Sequence, residues 1–253
     1  MGPMPRRIAL AALSCLVFLP VSLAGQGGQH PDFTGLWTTY TEPGQARGGG
    51  AGRGGGTPLP FTEEAQKKVA GYRALIGDSG ATPGGFCLGT GMPGSMLGSG
   101  GYPMEILQRP EQINITYEAH NEVRRVYLGD RIVPMADRIP GRNGHSSGHW
   151  EGDTLVIETT HLVEQVDQRW PHSDQARIVE RYRLITDSAR TKVLVAEMTL
   201  TDSAFYTKPV TETKKWAYVP NGHLLPYECA EEGWRIHFEE LEKKAAARGS
   251  ARS

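Results

Sequence analysis

From Met104 to Val219 the chain is a succession of short runs in which apolar and polar residues alternate, broken by brief polar turns. A period near two puts successive side chains on opposite faces of a strand. One face of each run can then be buried and the other left to solvent. Residues 104–108 and 112–118 flank the turn Arg109-Pro110-Glu111, and residues 122–128 follow Ala119-His120-Asn121. A loop at 129–143 holds two prolines and Gly141. It leads into GHSSGHWEGDTLVIETT (144–160), where Glu151-Gly152-Asp153 marks a hairpin turn. Strands at 176–186 and 191–200 join around Asp187-Ser188, and a last strand covers 211–219. Short strands with short connections predict an antiparallel meander, and about eight strands can close into a barrel that holds one small ligand.

The flanks read differently. Arg6 and Arg7, an apolar run from Ile8 to Leu19 and Ser22-Leu23-Ala24 make residues 1–24 a cleaved signal peptide. Cys15 lies inside that apolar run and is not read as a lipidation site. The expected barrel domain is 25–237, followed by a solvated helical or disordered tail at 238–253. The protein is therefore expected in the periplasm or secreted. Cys87 and Cys229 remain in the mature chain, and an even pair in an oxidising compartment predicts a disulfide; a catalytic thiol is the alternative. With 27 basic against 28 acidic residues and no basic stripe, nucleic acid is not an expected partner. No segment after the signal peptide reads as a membrane span, and oligomeric state is left open.

Two Gly-rich stretches, 43–60 and 80–103, read as long loops. In the second, Gly89, Gly91 and Gly94 match a G-x-G-x-x-G spacing. No strand precedes them, no helix follows and Pro93 interrupts, so no nucleotide and no cofactor is expected. Met92, Met96 and Met104 would suit a lid over an apolar ligand. Between the stretches, Thr62 can cap a short N-terminal helix over 63–75, with Glu63 and Glu64 in its first turn.

Gly35-Leu36-Trp37 resembles the opening of lipocalin-like barrels, in which the Trp plugs one end and packs on a cation from the last strand. The resemblance implies an all-β, antiparallel lipocalin-like barrel with Trp37 near Lys214. The blocks PDFTGLW (31–37), EILQRPEQINITYE (105–118), VRRVYLGDR (123–131), GHSSGHWEGDTLVIETT (144–160), PHSD (171–174), IVERYRL (178–184) and YEC (227–229) together resemble a widespread family of exported bacterial proteins. That resemblance implies a secreted single domain and carries over no activity.

Alternation selects the candidate site. Ile178, Glu180, Tyr182 and Leu184 share one face, and Val123, Arg125 and Tyr127 share another. Glu180 and Arg125 thus have apolar neighbours and are expected to point inward, as a structural ion pair or as a ligand-facing acid and base. His-Ser occurs at His145-Ser146 and at His172-Ser173, near turns. Either these satisfy loop backbone groups, or the histidines form a polar site at the barrel mouth. Tyr117, Tyr182, Ser146, Ser173, Trp150 and Arg125 are the candidate ligand contacts, with His145, His172 and Glu180 as candidate catalytic groups. His145 and His149 lie four apart across Ser146-Ser147-Gly148, a loop or strand composition, and no metal is expected. Ser146 lacks a nucleophile elbow. The leading expectation is binding of a small, partly apolar molecule in the barrel. The rivals are an isomerase, lyase or hydrolase using the His and Glu side chains, and an envelope interaction module with a packed interior.

Overall fold

The computed structural model describes residues 30–43, 58–77, 82–98 and 101–250, with Gly2 alone before them. Residues 3–24 of the stretch read as a signal peptide, and most of the first Gly-rich stretch, lie outside the described residues. Nine strands form one closed barrel in sequence order. They are β1 (Gly35–Thr39), β2 (Met104–Gln108), β3 (Gln112–Tyr117), β4 (Glu122–Leu128), β5 (His145–Glu151), β6 (Thr154–Thr160), β7 (Arg177–Thr186), β8 (Lys192–Thr201) and β9 (Val210–Val219). The expected all-β barrel is present, with one strand more than the eight anticipated.

An odd strand number has a topological cost. Each antiparallel neighbour reverses direction, and a ring closes only on an even number of reversals. Nine strands therefore need a parallel join, and β4 with β5 provides it, through Val126↔Ser146, Tyr127↔Ser147 and Leu128↔Gly148. Every other neighbour is antiparallel, including the closing β1–β9 pair, where Trp37 is opposite Tyr218. A parallel join needs a crossover of a dozen or more residues. Here residues 129–144 supply it as a strap over the outer face of the barrel.

The two ends are closed differently. Trp37 is fully buried at one end, and its Nε1 donates to Phe33 O at 2.8 Å. Its ring meets Tyr218 edge-on at 5.4 Å, and the cation over it is Lys192, 5.5 Å from the ring centroid. Lys192 opens β8 at this end, opposite Thr186. Lys214, the cation expected here, lies opposite Ala196, further along β9, and points inward with its ammonium pKa lowered by burial. Gly35 has φ +133°, and a Cβ there would meet the Tyr218 ring at 2.5 Å, which explains why glycine precedes the plug.

Helix α1 (Glu63–Ile76) crosses the opposite end. Thr62 caps it as expected, its Oγ1 accepting from Ala65 N at 3.2 Å. Ala65 and Val69 are its buried face, and Phe61 bridges to Tyr206 beside them. In the second Gly-rich stretch a short helix α2 (Gly94–Gly98) buries Met96. Met92 and Met104 are also buried in the core, so the methionines are packing residues rather than a lid over an open cavity. A tail helix α3 (Cys229–Ser250) begins at Cys229 rather than near Phe238. The Cys87–Cys229 disulfide is formed, with Cα atoms 5.5 Å apart. No helix among the described residues is long and apolar enough to cross a membrane.

Candidate functional site

Inside the barrel the alternation of β7 holds as read. Ile178, Glu180 and Tyr182 point inward and are buried. On β4 the parity is the reverse of the expectation. Arg124, Val126 and Leu128 point inward, and Arg125 is exposed on the outer face with Val123. The partner of Glu180 is therefore Arg124. Its guanidinium engages both carboxylate oxygens, from Nη1 at 3.0 Å and from Nη2 in a shorter contact. Arg124 Nε donates to Ser146 Oγ at 3.0 Å, and Nη2 also donates to Thr159 Oγ1 at 2.8 Å. Tyr182 donates its hydroxyl to Glu180 Oε1 at 2.9 Å. Burial disfavours the charged guanidinium, but the facing Glu180 carboxylate outweighs it and raises the Arg124 pKa. Burial, then Glu180, pushes the Tyr182 phenol well up. Tyr117 stands nearby with its hydroxyl buried and no hydrogen-bond partner within reach among the described residues.

The outer face of β4 forms a second environment. Along most of their length β4 and β5 are not paired, and the strap roofs the gap between them. A pocket of about 300 Å³ lies there, lined by Val123, Arg125 and Tyr127 of β4, Val133, Asp137, Arg138 and Ile139 of the strap, and residues 143–146. His145 faces this pocket because Ser146, its neighbour on β5, faces the barrel interior. The imidazole is 9% exposed and stacks on Tyr127 with centroids 5.1 Å apart. Its Nε2 is buried with no hydrogen-bond partner among the described residues, and so is Oδ1 of Asn143 beside it. The Asn143 amide is oriented by its Nδ2, which donates to Glu122 Oε1 at 2.9 Å. Burial, then Arg138 and His161, lowers the His145 pKa. Arg138 is held by Val133 O at 3.0 Å and Thr160 Oγ1 at 3.2 Å, with no carboxylate partner among the described residues.

The remaining candidates are elsewhere. His172 is fully buried, not at a rim. Its ring nitrogens lie 3.0 Å from Ser173 O and 3.0 Å from Met92 O, tying the second Gly-rich stretch to residues 161–176. Burial lowers its pKa, partly offset by those two carbonyls. Ser173 Oγ donates to Asp202 Oδ1 at 2.9 Å, in the same loop knot. Trp150 packs at the Trp37 end, stacked on His30 at 4.5 Å. His149 is exposed and pairs with Glu151 at 3.2 Å. So His145, His172 and Glu180 do not form one constellation. His145 looks outward under the strap, Glu180 inward, and the hydrogen-bond networks of His172 and Glu180 share no residue. Among the described residues no cluster of three His, Cys, Asp or Glu side chains is arranged to hold a metal ion.

What the structure does gather is His145, Arg125 and Ser146, around one pocket, with Arg124 and Ser146 forming the wall between that pocket and the polar interior. Arg138, Asn143 and Tyr127 join them there and were not singled out from the sequence. No protein-family model matches this chain. None of the curated proteins and none of the solved structures matches it either. The functional reading rests on the site.

Proposed function

We propose that the protein is exported and binds a small organic anion with an apolar body in the pocket beneath the strap. The observation that carries this reading is a buried imidazole with no hydrogen-bond partner, at a pocket with two guanidinium groups. Buried polar groups are nearly always hydrogen-bonded, so His145 and Asn143 call for a partner that the described residues do not supply. Arg125 and Arg138 outnumber the one carboxylate of the lining, Asp137, and favour a carboxylate or phosphate ligand. Val123, Tyr127, Val133 and Ile139 offer apolar surface to its body. A volume of about 300 Å³ lies at the small end of the usual range for such sites. Export is supported by the signal-like residues 1–24 and by the Cys87–Cys229 bridge.

Mass spectrometry of small molecules that co-purify with the protein from an oxidising compartment tests this. An organic acid retained by the native chain and lost from Arg125→Ala and Arg138→Ala is the expected result. A neutral or cationic molecule retained equally by all three would overturn it. One observation favours an enzyme acting in the same pocket. Burial, then Arg138 and His161, lowers the His145 pKa and so favours the neutral form a general base needs. Loss of product formation in His145→Gln with retained ligand affinity would select that second reading.

A further inference from the structure

A second site lies at the end of the barrel covered by α1. A cleft of about 530 Å³ opens between α1 and residues 166–171. Its apolar wall is formed by Phe61, Val69, Tyr72, Trp170 and Pro171, and its volume falls within the usual range for small-molecule sites. The charged groups in its lining are sorted by depth. Glu212 is half-buried on the inward face of β9, on the rung that continues through Met198 to Glu180. It has neither ion pair nor hydrogen bond among the described residues. Asp167 is also half-buried; Arg142 takes its Oδ2 at 2.9 Å, while Oδ1 is buried without a partner. Arg73, in the last turn of α1, and Arg169 are exposed at the rim. The Arg169 guanidinium lies 4.9 Å over the Trp170 ring, and neither arginine meets a carboxylate among the described residues.

We propose that this cleft binds a small zwitterion that enters ammonium-first, the chemistry of a short hydrophobic peptide. The ammonium reaches Glu212, beside the Asp167 carboxylate. The apolar side chains lie against Phe61, Tyr72 and Trp170. The terminal carboxylate stays at the rim with Arg73 and Arg169. A simple cation would have to pass two unpaired guanidinium groups, and a simple anion would meet Glu212 at the base. Only a molecule with opposite charges at its two ends matches both depths.

Titration calorimetry on the whole protein tests this with three probes: leucylphenylalanine, its N-acetyl derivative and its C-terminal amide. The free dipeptide binds, and acetylation and amidation each weaken binding about tenfold or more, the scale of one lost charge-assisted hydrogen bond. Glu212→Gln abolishes the sensitivity to acetylation, and Arg73→Ala with Arg169→Ala abolishes the sensitivity to amidation. Arg125→Ala, at the strap pocket, changes none of the three affinities. The comparison of probes on the unaltered protein does not depend on how the variants fold. No binding of the free dipeptide at millimolar concentration, or equal binding of the free and acetylated forms, overturns the proposal.

Discussion

Arg124 reaches from β4 across the barrel to Glu180 on β7, and neither side chain sees solvent. A buried pair of this kind contributes little beyond what two well-packed apolar residues would, but losing one member leaves an unpaired buried charge at a cost of about 3–5 kcal/mol. Arg124→Met alone and Glu180→Leu alone are each expected to lower unfolding free energy by about that amount. The double variant should recover much of the loss. Urea unfolding of the three variants checks this, and additive losses would show that the two side chains act independently.

Acid sensitivity follows from the two buried histidines. Burial lowers the pKa of both His145 and His172. The unfolded chain, with histidines near their ordinary value of about 6.5, then takes up protons first as the pH falls. Their contribution to stability is full above that value and is lost as the pH drops through the folded pKa. The Tm should fall from pH 7 to pH 5, and His172→Asn should flatten the slope. A Tm that rises across that interval would contradict the burial of both rings.

The tail helix is held by Cys87–Cys229 and by Tyr227 just before it, whose ring meets His120 at 4.8 Å and whose carbonyl accepts from Asn121 Nδ2 at 3.0 Å. Closing a loop of 142 residues is worth roughly 4–5 kcal/mol on the chain-entropy account. Cys87→Ser with Cys229→Ser should lower the Tm and expose residues within α3 to limited proteolysis while the barrel strands stay protected. Equal protease resistance of the two proteins would mean that noncovalent contacts suffice.

Gly35 admits a sharper test. Alanine there adds a Cβ that would sit 2.5 Å from the Tyr218 ring, on a backbone at φ +133°. A loss of about 1–3 kcal/mol is expected. Calorimetric melting of Gly35→Ala measures it. A Tm unchanged from that of the native chain would show that the ring moves aside freely.

The strands, the α1 cap and the disulfide were legible because each depends on local pattern or on cysteine count; the buried plug Trp37 was expected only from the resemblance of Gly35-Leu36-Trp37 to lipocalin-like openings. The inward face of β4 was not. In Val123-Arg124-Arg125-Val126-Tyr127-Leu128 both parities carry apolar residues, because the strap half-covers the outer face that Val123 and Tyr127 occupy. Two adjacent arginines then gave no tie-break. The pair Val126 and Leu128 was the better guide, since two aliphatic residues on one face outweigh one aliphatic and a tyrosine. The long 129–143 loop was a missed sign of the parallel join, being far longer than a hairpin needs. Which lysine lies over Trp37 depended on register between β8 and β9, which alternation alone leaves undetermined. His145 was found by composition, but its outward aim follows only from Ser146 being taken by Arg124.

The disulfide spans the strap, so one cut in the strap leaves the chain covalently whole. Cys87 lies before residues 129–144 and Cys229 after them. A single nick in the strap, near the exposed Met135, therefore produces two polypeptides still joined covalently. One would carry β1 to β4 and the other β5 to β9, interlocked by the β1–β9 ladder. Such a two-chain form keeps every strand pairing of the barrel, yet its halves come apart once reductant is added and the hydrogen-bonded ladders are melted.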